Sequence, residues 1–227
     1  MTQDEAKRLV ARRAAEFVED GMAVGLGTGS TATMFIHELA ARKLDIRCVA
    51  SSDASHDLAK SLGMVVETLD DLPQLDVYID GADEVARVEG VGLALIKGGG
   101  GALLREKIVA SAAREFICVV DSTKLVEHLG RFPLPVEVIK MALPVVEPRL
   151  ADLGLHPKQR PAKSGEGPYL TDEHNYILDC SVGTILDPET IAAEVRSIVG
   201  VVEHGLFLGM ATLALVAGEN GVTELRP

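Results

Sequence analysis

The chain contains no tryptophan, only three cysteines and no apolar run long enough to cross a membrane. Its longest uncharged apolar stretch, residues 205–218, is shorter than the roughly 20 residues that a membrane-spanning helix needs. Cys48, Cys118 and Cys180 lie far apart and form no CxxC pair, which indicates neither a disulfide framework nor a thiolate zinc site. These scarcities argue against a membrane protein and a small disulfide-stabilised domain. They favour a reducing compartment, and we expect a cytoplasmic protein.

Positive charge is also scarce, since 22 Lys and Arg residues stand against 34 Asp and Glu residues, a formal net charge of −12. A broad contact with nucleic acid or an anionic membrane needs a basic face that displaces counterions, so we expect neither partner. The net charge does not exclude a local pocket that binds a small anion. The six histidines show no HExxH spacing and no pairing with cysteine, so we assign no metal.

Apolar runs alternate with amphipathic segments over residues 1–125. Helices are predicted near residues 4–17, with Thr2 or Asp4 as cap, and near 30–43, 53–62 and 102–114; the predicted strands are MAVGLG, IRCVAS, VVETL, DVYID and FICVVD. Strands that are apolar throughout and separated by amphipathic helices indicate a parallel sheet covered on both faces. The sequence therefore predicts an α/β fold with a Rossmann-like parallel sheet.

The prolines of FPLPVEV, residues 132–138, fix an extended segment and mark a boundary. Beyond it we predict strands at 136–140, 155–160, 174–181 and 201–208, with helices at 144–153 and 188–199. This β-α-β-β-α-β order is typical of a small ferredoxin-like α+β domain. We therefore predict an α/β catalytic domain at 1–131 and 209–227, and a ferredoxin-like domain at 132–208. The closing segment is expected to return to the first sheet as strands.

Ligands of open parallel sheets bind beyond the carboxyl ends of the strands, and the loop GLGTGST follows the first predicted strand. Its glycines let backbone N–H groups approach an anion, while Ser30 and Thr31 stand at a helix start, where a phosphate is favoured. Gly25 and Gly27 fit part of the dinucleotide fingerprint, but Ser30 occupies the position of its third glycine. A simple tight turn remains an alternative for this loop.

Two further strand ends carry polar clusters. SSDAS, residues 51–55, reads most simply as a helix start capped by Ser52 or Asp53. DGADE, residues 80–84, groups carboxylates whose mutual repulsion raises the proton affinity of one of them. This suits acid–base chemistry or metal binding, although a solvated turn explains it equally well.

The segment LIKGGGGALLREK sets four glycines between Lys97 and a predicted helix that carries Glu106 near its start. Such a loop can fold its amides around a developing oxyanion, with Lys97 adding positive charge. Glu106 alone, between Arg105 and Lys107, is more typical of a solvated helix face, so only the combination points to a site. Lys124, just after FICVVD, stands at the same sheet edge, where it could meet a phosphate or a sugar hydroxyl.

Together GLGTGST, SSDAS, YIDGADE, IKGGGGALLREK and FPLPVEV, in this order and spacing, resemble the ribose-5-phosphate isomerases of the A type over nearly the whole chain. The resemblance implies metal-free and cofactor-free interconversion of ribose 5-phosphate and ribulose 5-phosphate, in the non-oxidative pentose phosphate pathway, by a homodimer or homotetramer. The family's functional loops fall on Thr28, Gly29, Ser30 and Thr31, on Asp80, Gly81, Ala82 and Asp83, and on Lys97, Gly98, Gly99 and Gly100; its base falls on Glu106 and a further substrate contact on Lys124. The chain departs at Gly101, where the family often has alanine.

Aldose–ketose isomerisation through an enediolate needs a carboxylate base, a partner that moves hydroxyl protons, and positive or amide charge on the oxyanion. We expect Glu106 to move the carbon-bound proton and Lys97 with the glycine amides to stabilise the enediolate. Asp80 is expected to open the furanose ring and to handle the oxygen-bound protons, with Asp83 assisting.

Two other classes of protein remain open. A sugar-phosphate sensor could keep these loops without turnover, although it would need neither Glu106 nor the acidic pair. A nicotinamide-dependent oxidoreductase could use GLGTGST as its fingerprint, with Asp45 as the ribose contact, but Asp45 precedes the next predicted strand instead of ending it.

Overall fold

The computed structural model describes all 227 residues, and its first helix begins where the sequence supplies a cap. The Glu5 N–H donates to the Thr2 hydroxyl while the Thr2 N–H donates to the Glu5 carboxylate, a capping box. The helices are α1 (Gln3–Ala15), α2 (Ser30–Ala41), α3 (Asp53–Ser61), α4 (Leu103–Ala112), α5 (Leu143–Asp152) and α6 (Pro188–Ser197). None of them is long and apolar enough to cross a bilayer.

Fourteen strands form three sheets. They are β1 (Ala23–Leu26), β2 (Arg47–Ala50), β3 (Val65–Glu67), β4 (Leu75–Asp80), β5 (Glu84–Val88), β6 (Gly92–Ile96), β7 (Ala113–Asp121), β8 (Leu134–Val138), β9 (Pro157–Gln159), β10 (Tyr176–Cys180), β11 (Val201–His204), β12 (Leu206–Leu208), β13 (Leu213–Gly218) and β14 (Gly221–Leu225).

The largest sheet has seven strands in the order β14-β13-β7-β4-β1-β2-β3. All of its neighbours are parallel except β13 and β14, which form the closing hairpin. The predicted α/β class and the return of the closing segment to this sheet are therefore confirmed. Because β1, β4 and β7 are parallel neighbours, the loops that follow them meet at one edge.

Both faces of this sheet are buried. One face packs against α1 and α2, and the other packs under α4, with the rings of Tyr78 and Phe116 at its centre. Gly25 in β1 permits this second layer, because a Cβ there would lie 2.7 Å from the Tyr78 ring. The apolar character of the strands on both sides thus follows from their burial.

A second sheet runs antiparallel in the order β11-β8-β10-β9, and α5 and α6 complete the predicted β-α-β-β-α-β sequence of elements. The division of the chain into domains at 1–131 with 209–227 and at 132–208 stays a prediction.

The prediction of one strand over 201–208 is wrong, because the run divides at Gly205 into β11 and β12. β12 leaves the second sheet and pairs with β6, which pairs in turn with β5 to form a third sheet. At the break, the Lys97 N–H donates to the Gly205 carbonyl at 2.9 Å, and a Cβ on Gly205 would lie 2.3 Å from the Lys97 carbonyl oxygen. Only glycine permits that approach, and the third sheet was not foreseen.

Candidate active site

A solvent-open cleft lies at the carboxyl edge of the large sheet, where the loops after β1, β4, β6 and β7 converge. It is lined by nearly all of the residues that the sequence singled out, namely Thr28, Gly29, Ser30, Thr31, Gly81, Ala82, Asp83, Lys97, Gly98, Gly100, Glu106 and Lys124. Asp80 is buried beneath this lining, and Gly99 is exposed beside it.

Lys97 is the electrostatic centre of the cleft. Its ammonium lies 2.8 Å from Oδ2 of Asp80 and 3.3 Å from Oε2 of Glu106, and it donates to the Gly81 carbonyl oxygen at 2.5 Å. Burial alone would lower the pKa of Lys97, but the Asp80 and Glu106 carboxylates raise it above its usual range. Lys97 therefore stays charged although only 2% of it is exposed.

Asp80 is fully occupied by protein donors. Its Oδ1 accepts the N–H groups of Thr28 at 2.9 Å and Gly81 at 2.7 Å. Its Oδ2 accepts the Tyr78 hydroxyl and the Lys97 ammonium. Gly27 leaves room for this carboxylate, since a Cβ there would lie 2.2 Å from Oδ1. With 0% of its surface exposed, Asp80 orients the strand ends and Lys97 behind the cleft wall.

Glu106 is a buried carboxylate at the first turn of α4, with 3% of its surface exposed. Its buried Oε2 has no hydrogen-bond partner, because the approach of Lys97 lacks hydrogen-bond geometry. Burial raises the pKa of Glu106 to about 8, the Lys97 charge opposes the shift, and the Asp80 carboxylate reinforces it. An ionised, unsolvated carboxylate of this kind is a strong proton acceptor.

The charged neighbours of Glu106 turn away from it. Arg105 pairs with Asp53 at 2.7 Å and with Glu173 at 2.6 Å, on the outer side of α4. Lys107 is directed towards β11 and β12, where it lies 2.8 Å from Glu203. Glu106 therefore does not lie on a solvated helix face. The charged residues on either side of it in the sequence lie on other sides of α4 and do not indicate the environment of Glu106.

Asp83 offers a free carboxylate oxygen to the cleft. Its Oδ2 accepts the Gly99 N–H at 2.8 Å, while no protein donor reaches Oδ1. Glu84, the last residue of the DGADE motif, begins β5 and is directed elsewhere, where it accepts the N–H groups of Gly130 and Phe132. The motif therefore contributes one buried, one cleft-facing and one purely structural carboxylate.

The other end of the cleft is suited to an anion. α2 begins after Gly29, whose φ of 100° lies in the left-handed region, and no side chain caps the helix. Its first N–H groups and the hydroxyls of Ser30 and Thr31 are therefore available. Lys124 lines the same cleft from the short turn after β7.

Sequence reasoning missed Lys7 and Gln3, which reach the cleft from α1. Gln3 donates to Asp121 at the end of β7, at 3.2 Å, and so fixes the start of α1 beside the sheet edge. Lys7 is one of several basic residues on an amphipathic helix, and no local signal distinguishes it. Only the packing of α1 across the large sheet identifies it.

The SSDAS segment supports the cleft from behind, and its predicted cap is confirmed at Ser52, whose hydroxyl accepts the Ser55 N–H. The Ser55 hydroxyl donates to the Gly27 carbonyl at 2.6 Å, and the Ser51 and Thr28 hydroxyls lie 2.9 Å apart. These bonds hold the GLGTGST loop from its outer side.

Neither a metal centre nor a dinucleotide contact is organised here. No group of three or more His, Cys, Asp or Glu side chains is arranged to hold a metal ion. The Asp45 carbonyl accepts the Gly21 N–H, and the Asp45 N–H donates to Asp20, so that Asp45 lies at the amino edge of the sheet. It cannot contact a ribose bound at the opposite edge.

Comparison with known proteins agrees with this geometry. The sequence profile of the family described as "Ribose 5-phosphate isomerase A (phosphoriboisomerase A)" matches residues 47–221. A ribose-5-phosphate isomerase A from Roseiflexus castenholzii is 51% identical over 225 residues, which cover 96% of this chain and 94% of the relative. The solved ribose 5-phosphate isomerase A of Methanocaldococcus jannaschii is 40% identical with a TM-score of 0.94, covering 100% of both chains. A D-ribose-5-phosphate isomerase solved in complex with phospho-erythronic acid is 36% identical with a TM-score of 0.95, again over 100% of both chains.

Proposed function

The chain belongs to the ribose-5-phosphate isomerase A family, and from this premise we propose that its cleft interconverts D-ribose 5-phosphate and D-ribulose 5-phosphate through an enediolate. This is an aldose–ketose isomerisation of the non-oxidative pentose phosphate pathway. The observation that carries the proposal is Glu106, a buried carboxylate without a hydrogen bond, facing a cleft whose far end is an uncapped helix start.

Glu106 acts as the base. Its carboxylate removes the C2 proton of the open-chain aldose, and the C2–H electron pair forms the C1–C2 double bond while the carbonyl electrons move to the C1 oxygen. Asp83 transfers the proton of the C2 hydroxyl to the C1 oxygen. The protonated Glu106 then returns its proton to C1, and the electron pair on the C2 oxygen forms the carbonyl at C2. The Lys97 ammonium stabilises the negative oxygen of the enediolate, because it is fixed and desolvated before the reaction begins.

Asp83 moves the oxygen-bound protons. One of its carboxylate oxygens is free and faces the cleft, whereas every oxygen of Asp80 is already bonded and buried. The motif alone predicts Asp80 as the group that opens the furanose ring, with Asp83 assisting, and we reverse that order. Asp80 instead holds Lys97 in place.

The substrate phosphate binds at the start of α2. Free N–H groups, the Ser30 and Thr31 hydroxyls and the helix dipole favour a dianion there. Lys7 and Lys124 add positive charge from the two neighbouring elements. The phosphate is thereby held at the end of the cleft remote from Glu106 and Lys97.

The protein is further proposed to act in the cytoplasm as a homodimer or homotetramer. The three cysteines are free and buried, which suits a reducing compartment. Large apolar side chains such as Met141 and Val199 are 90% and 79% exposed on the part of the chain that forms the antiparallel sheet, and a second copy could cover them. Light scattering after size-exclusion chromatography measures the assembly; a monomer at micromolar concentration would contradict it.

The proposed function is tested by following ketose formation from ribose 5-phosphate in the presence of a chelator. The wild-type protein should turn over without added metal, since Glu106 and Lys97 supply the base and the charge. Activity that the chelator abolishes and a divalent ion restores would contradict the metal-free mechanism.

The Glu106→Gln variant tests the base itself. The amide keeps the size of the side chain but cannot take the C2 proton, so kcat should fall by at least ~100-fold, the lower end of general-base contributions. Exchange of the C2 hydrogen with deuterated solvent, followed by proton NMR, should stop as well. Glu137→Gln is the matched control, because Glu137 is also a buried glutamate but lies in β8, outside the cleft. Continued exchange in Glu106→Gln at a near wild-type rate would move the base to Asp83.

A further inference from the structure

The glycine loop after Lys97 is held on its outer side by two residues from the part of the chain that forms the antiparallel sheet. Nη1 of Arg160 donates to the carbonyl oxygens of Gly98 at 2.9 Å and Gly99 at 3.3 Å. The Tyr169 hydroxyl donates to the carbonyl oxygen of Gly100 at 3.2 Å. Three successive carbonyl groups of the loop are therefore directed away from the cleft.

Because the peptide bond is planar, the directions of these carbonyl groups also fix the directions of the N–H groups in the same peptide units. In a trans peptide the C=O and N–H bonds point in opposite directions. The unit between Gly98 and Gly99 is fixed at both ends, since its C=O accepts from Arg160 and its N–H donates to Asp83. The unit between Gly99 and Gly100 accepts from Arg160 at its C=O, while its N–H donates to no protein atom.

Gly100 lines the cleft, and its N–H has no protein acceptor. A Cβ on Gly100 would lie 3.9 Å from the Thr28 side chain, so the two residues are neighbours in the cleft lining. An N–H group that is unpaired, held in direction by its own peptide and part of a residue lining the same cleft as the base has the properties of an oxyanion donor. A positive charge on the carbonyl of the same peptide also polarises this N–H and strengthens it as a donor.

Arg160 is itself fixed in orientation. Its guanidinium forms a two-pronged ion pair with Asp179 of β10, with Nε 2.8 Å from Oδ2 and Nη2 bonded to Oδ1. The Tyr169 ring lies 5.8 Å from the guanidinium carbon. Only 13% of the Arg160 side chain is exposed, so water competes weakly for its donors.

We propose that Arg160 is a positioning residue for isomerisation: it fixes the glycine loop so that the Gly100 N–H stabilises the negative oxygen of the enediolate. The inference rests on the proposed function, since it assigns the donor for that intermediate. Arg160 itself does not touch the substrate. It couples the antiparallel sheet to the chemistry at the edge of the large sheet.

The test is the Arg160→Gln variant, compared with the wild type in kcat, KM and ligand affinity. Loss of an oxyanion donor costs about 100- to 1,000-fold in kcat; a donor that is present but poorly oriented should cost about 10- to 100-fold. KM should change by less than about threefold, because the phosphate contacts at α2 are intact. The affinity for phospho-erythronic acid, whose carboxylate resembles the enediolate oxygens, should fall together with kcat, while the affinity for inorganic phosphate should not change.

Two further variants separate positioning from stability. Arg160→Lys keeps the charge but can reach fewer carbonyl groups, so its kcat should lie between those of the wild type and Arg160→Gln; it also carries the test if Arg160→Gln does not fold. Val195→Ala, on the buried face of α6, should destabilise the same part of the chain without touching the loop. It should keep the wild-type kcat and KM.

The inference is overturned if Arg160→Gln retains wild-type kcat and affinity for phospho-erythronic acid, or if Val195→Ala loses kcat to the same degree. The wild-type protein is assayed in parallel. An inactive wild-type protein would overturn the proposed function and the inference with it, whereas an active wild type beside an unaffected Arg160→Gln would overturn only the inference.

Discussion

At the scale of single residues, the site depends on one carboxylate that water barely reaches. Glu106 would lose its catalytic value on a solvated helix face, because water would bind its oxygens and hold its pKa near the ordinary glutamate value. Burial beneath the loop raises the pKa of Glu106 to about 8 and leaves its Oε2 without a hydrogen bond. The nearby Lys97 ammonium offsets part of the free-energy cost of burying the negative charge of Glu106.

The pKa of Glu106 predicts the acidic limb of the pH profile. The base must be ionised, so kcat/KM should fall about tenfold per pH unit as the pH drops below the Glu106 value of about 8. This limb should lie well above the second ionisation of a phosphate ester, near pH 6. Initial rates from pH 5.5 to 9.5 measure it. A limb that begins only near pH 6 would contradict the raised pKa of Glu106. Glu137→Gln should leave the profile unchanged.

At the scale of elements, the start of α2 separates binding from chemistry. Replacing both Ser30 and Thr31 with alanine removes two hydroxyl donors from the phosphate but leaves Glu106 and Lys97 in place. Contacts made equally in the ground state and the transition state affect KM more than kcat, so we expect KM to rise about 10-fold or more and kcat to change little. Steady-state kinetics measures kcat and KM of this double variant, with Thr33→Ala in the same helix as control. A pure loss of kcat would contradict the placement of the phosphate.

The structure of the glycine loop also explains why this chain has glycine at position 101, where the family often has alanine. Its φ of 92° lies in the left-handed region, and a Cβ would lie 2.2 Å from the Tyr169 hydroxyl oxygen. Gly101→Ala should therefore destabilise the protein by about 1–3 kcal/mol and displace Tyr169 from the Gly100 carbonyl. Urea unfolding measures the loss of unfolding free energy. In the double variant with Tyr169→Ala, the part of this loss that comes from the clash with Tyr169 should be absent, while the part that comes from backbone strain should remain. Equal stability of Gly101→Ala and the wild type would disprove this account.

Several elements could be predicted from the sequence because their apolar runs end at glycines or caps, as in GLGTGST before α2 and Thr2 before α1. β5 escaped prediction because its sequence, EVARV, begins inside a polar cluster and looks like the end of a loop. The break at Gly205 escaped because VVEHGLFL reads as one continuous strand, and only contact with Lys97 divides it. The burial of Glu106 and the role of Lys7 depend on packing between distant segments, which local patterns do not encode.

At the scale of the whole molecule, α4 is joined to the antiparallel sheet through Lys107. Its ammonium donates to the Glu203 carboxylate at 2.8 Å and to the carbonyl oxygens of His204 and Leu206 at 2.7 and 2.9 Å. It also lies 4.8 Å from the centre of the Phe207 ring. The helix that carries the base is thereby fixed to the junction of β11 and β12, which also binds the Lys97 N–H.

Lys107→Met should break this connection. Hydrogen bonds to charged groups contribute about 1.5–3 kcal/mol each, so we expect a loss of at least ~2 kcal/mol in unfolding free energy. kcat should fall as well, because Glu106 moves with α4. Denaturant unfolding and kinetics are measured beside Lys158→Met, an exposed lysine in β9. If Lys107→Met and Lys158→Met have the same unfolding free energy and kcat, the contacts of Lys107 contribute to neither stability nor catalysis.

The path of the chain through the large sheet has a consequence for synthesis on the ribosome. β7 ends at Asp121 and its neighbour β13 begins at Leu213, so the whole antiparallel sheet is made between these two paired strands. Until β13 emerges from the exit tunnel, the edge of β7 that β13 later covers, Ile117–Asp121, is unpaired, and such an edge invites pairing with another nascent chain. The later sheet, contiguous in sequence, can fold in the meantime. Slow translation between the two strands would therefore lengthen the period in which the growing polypeptide needs protection by chaperones.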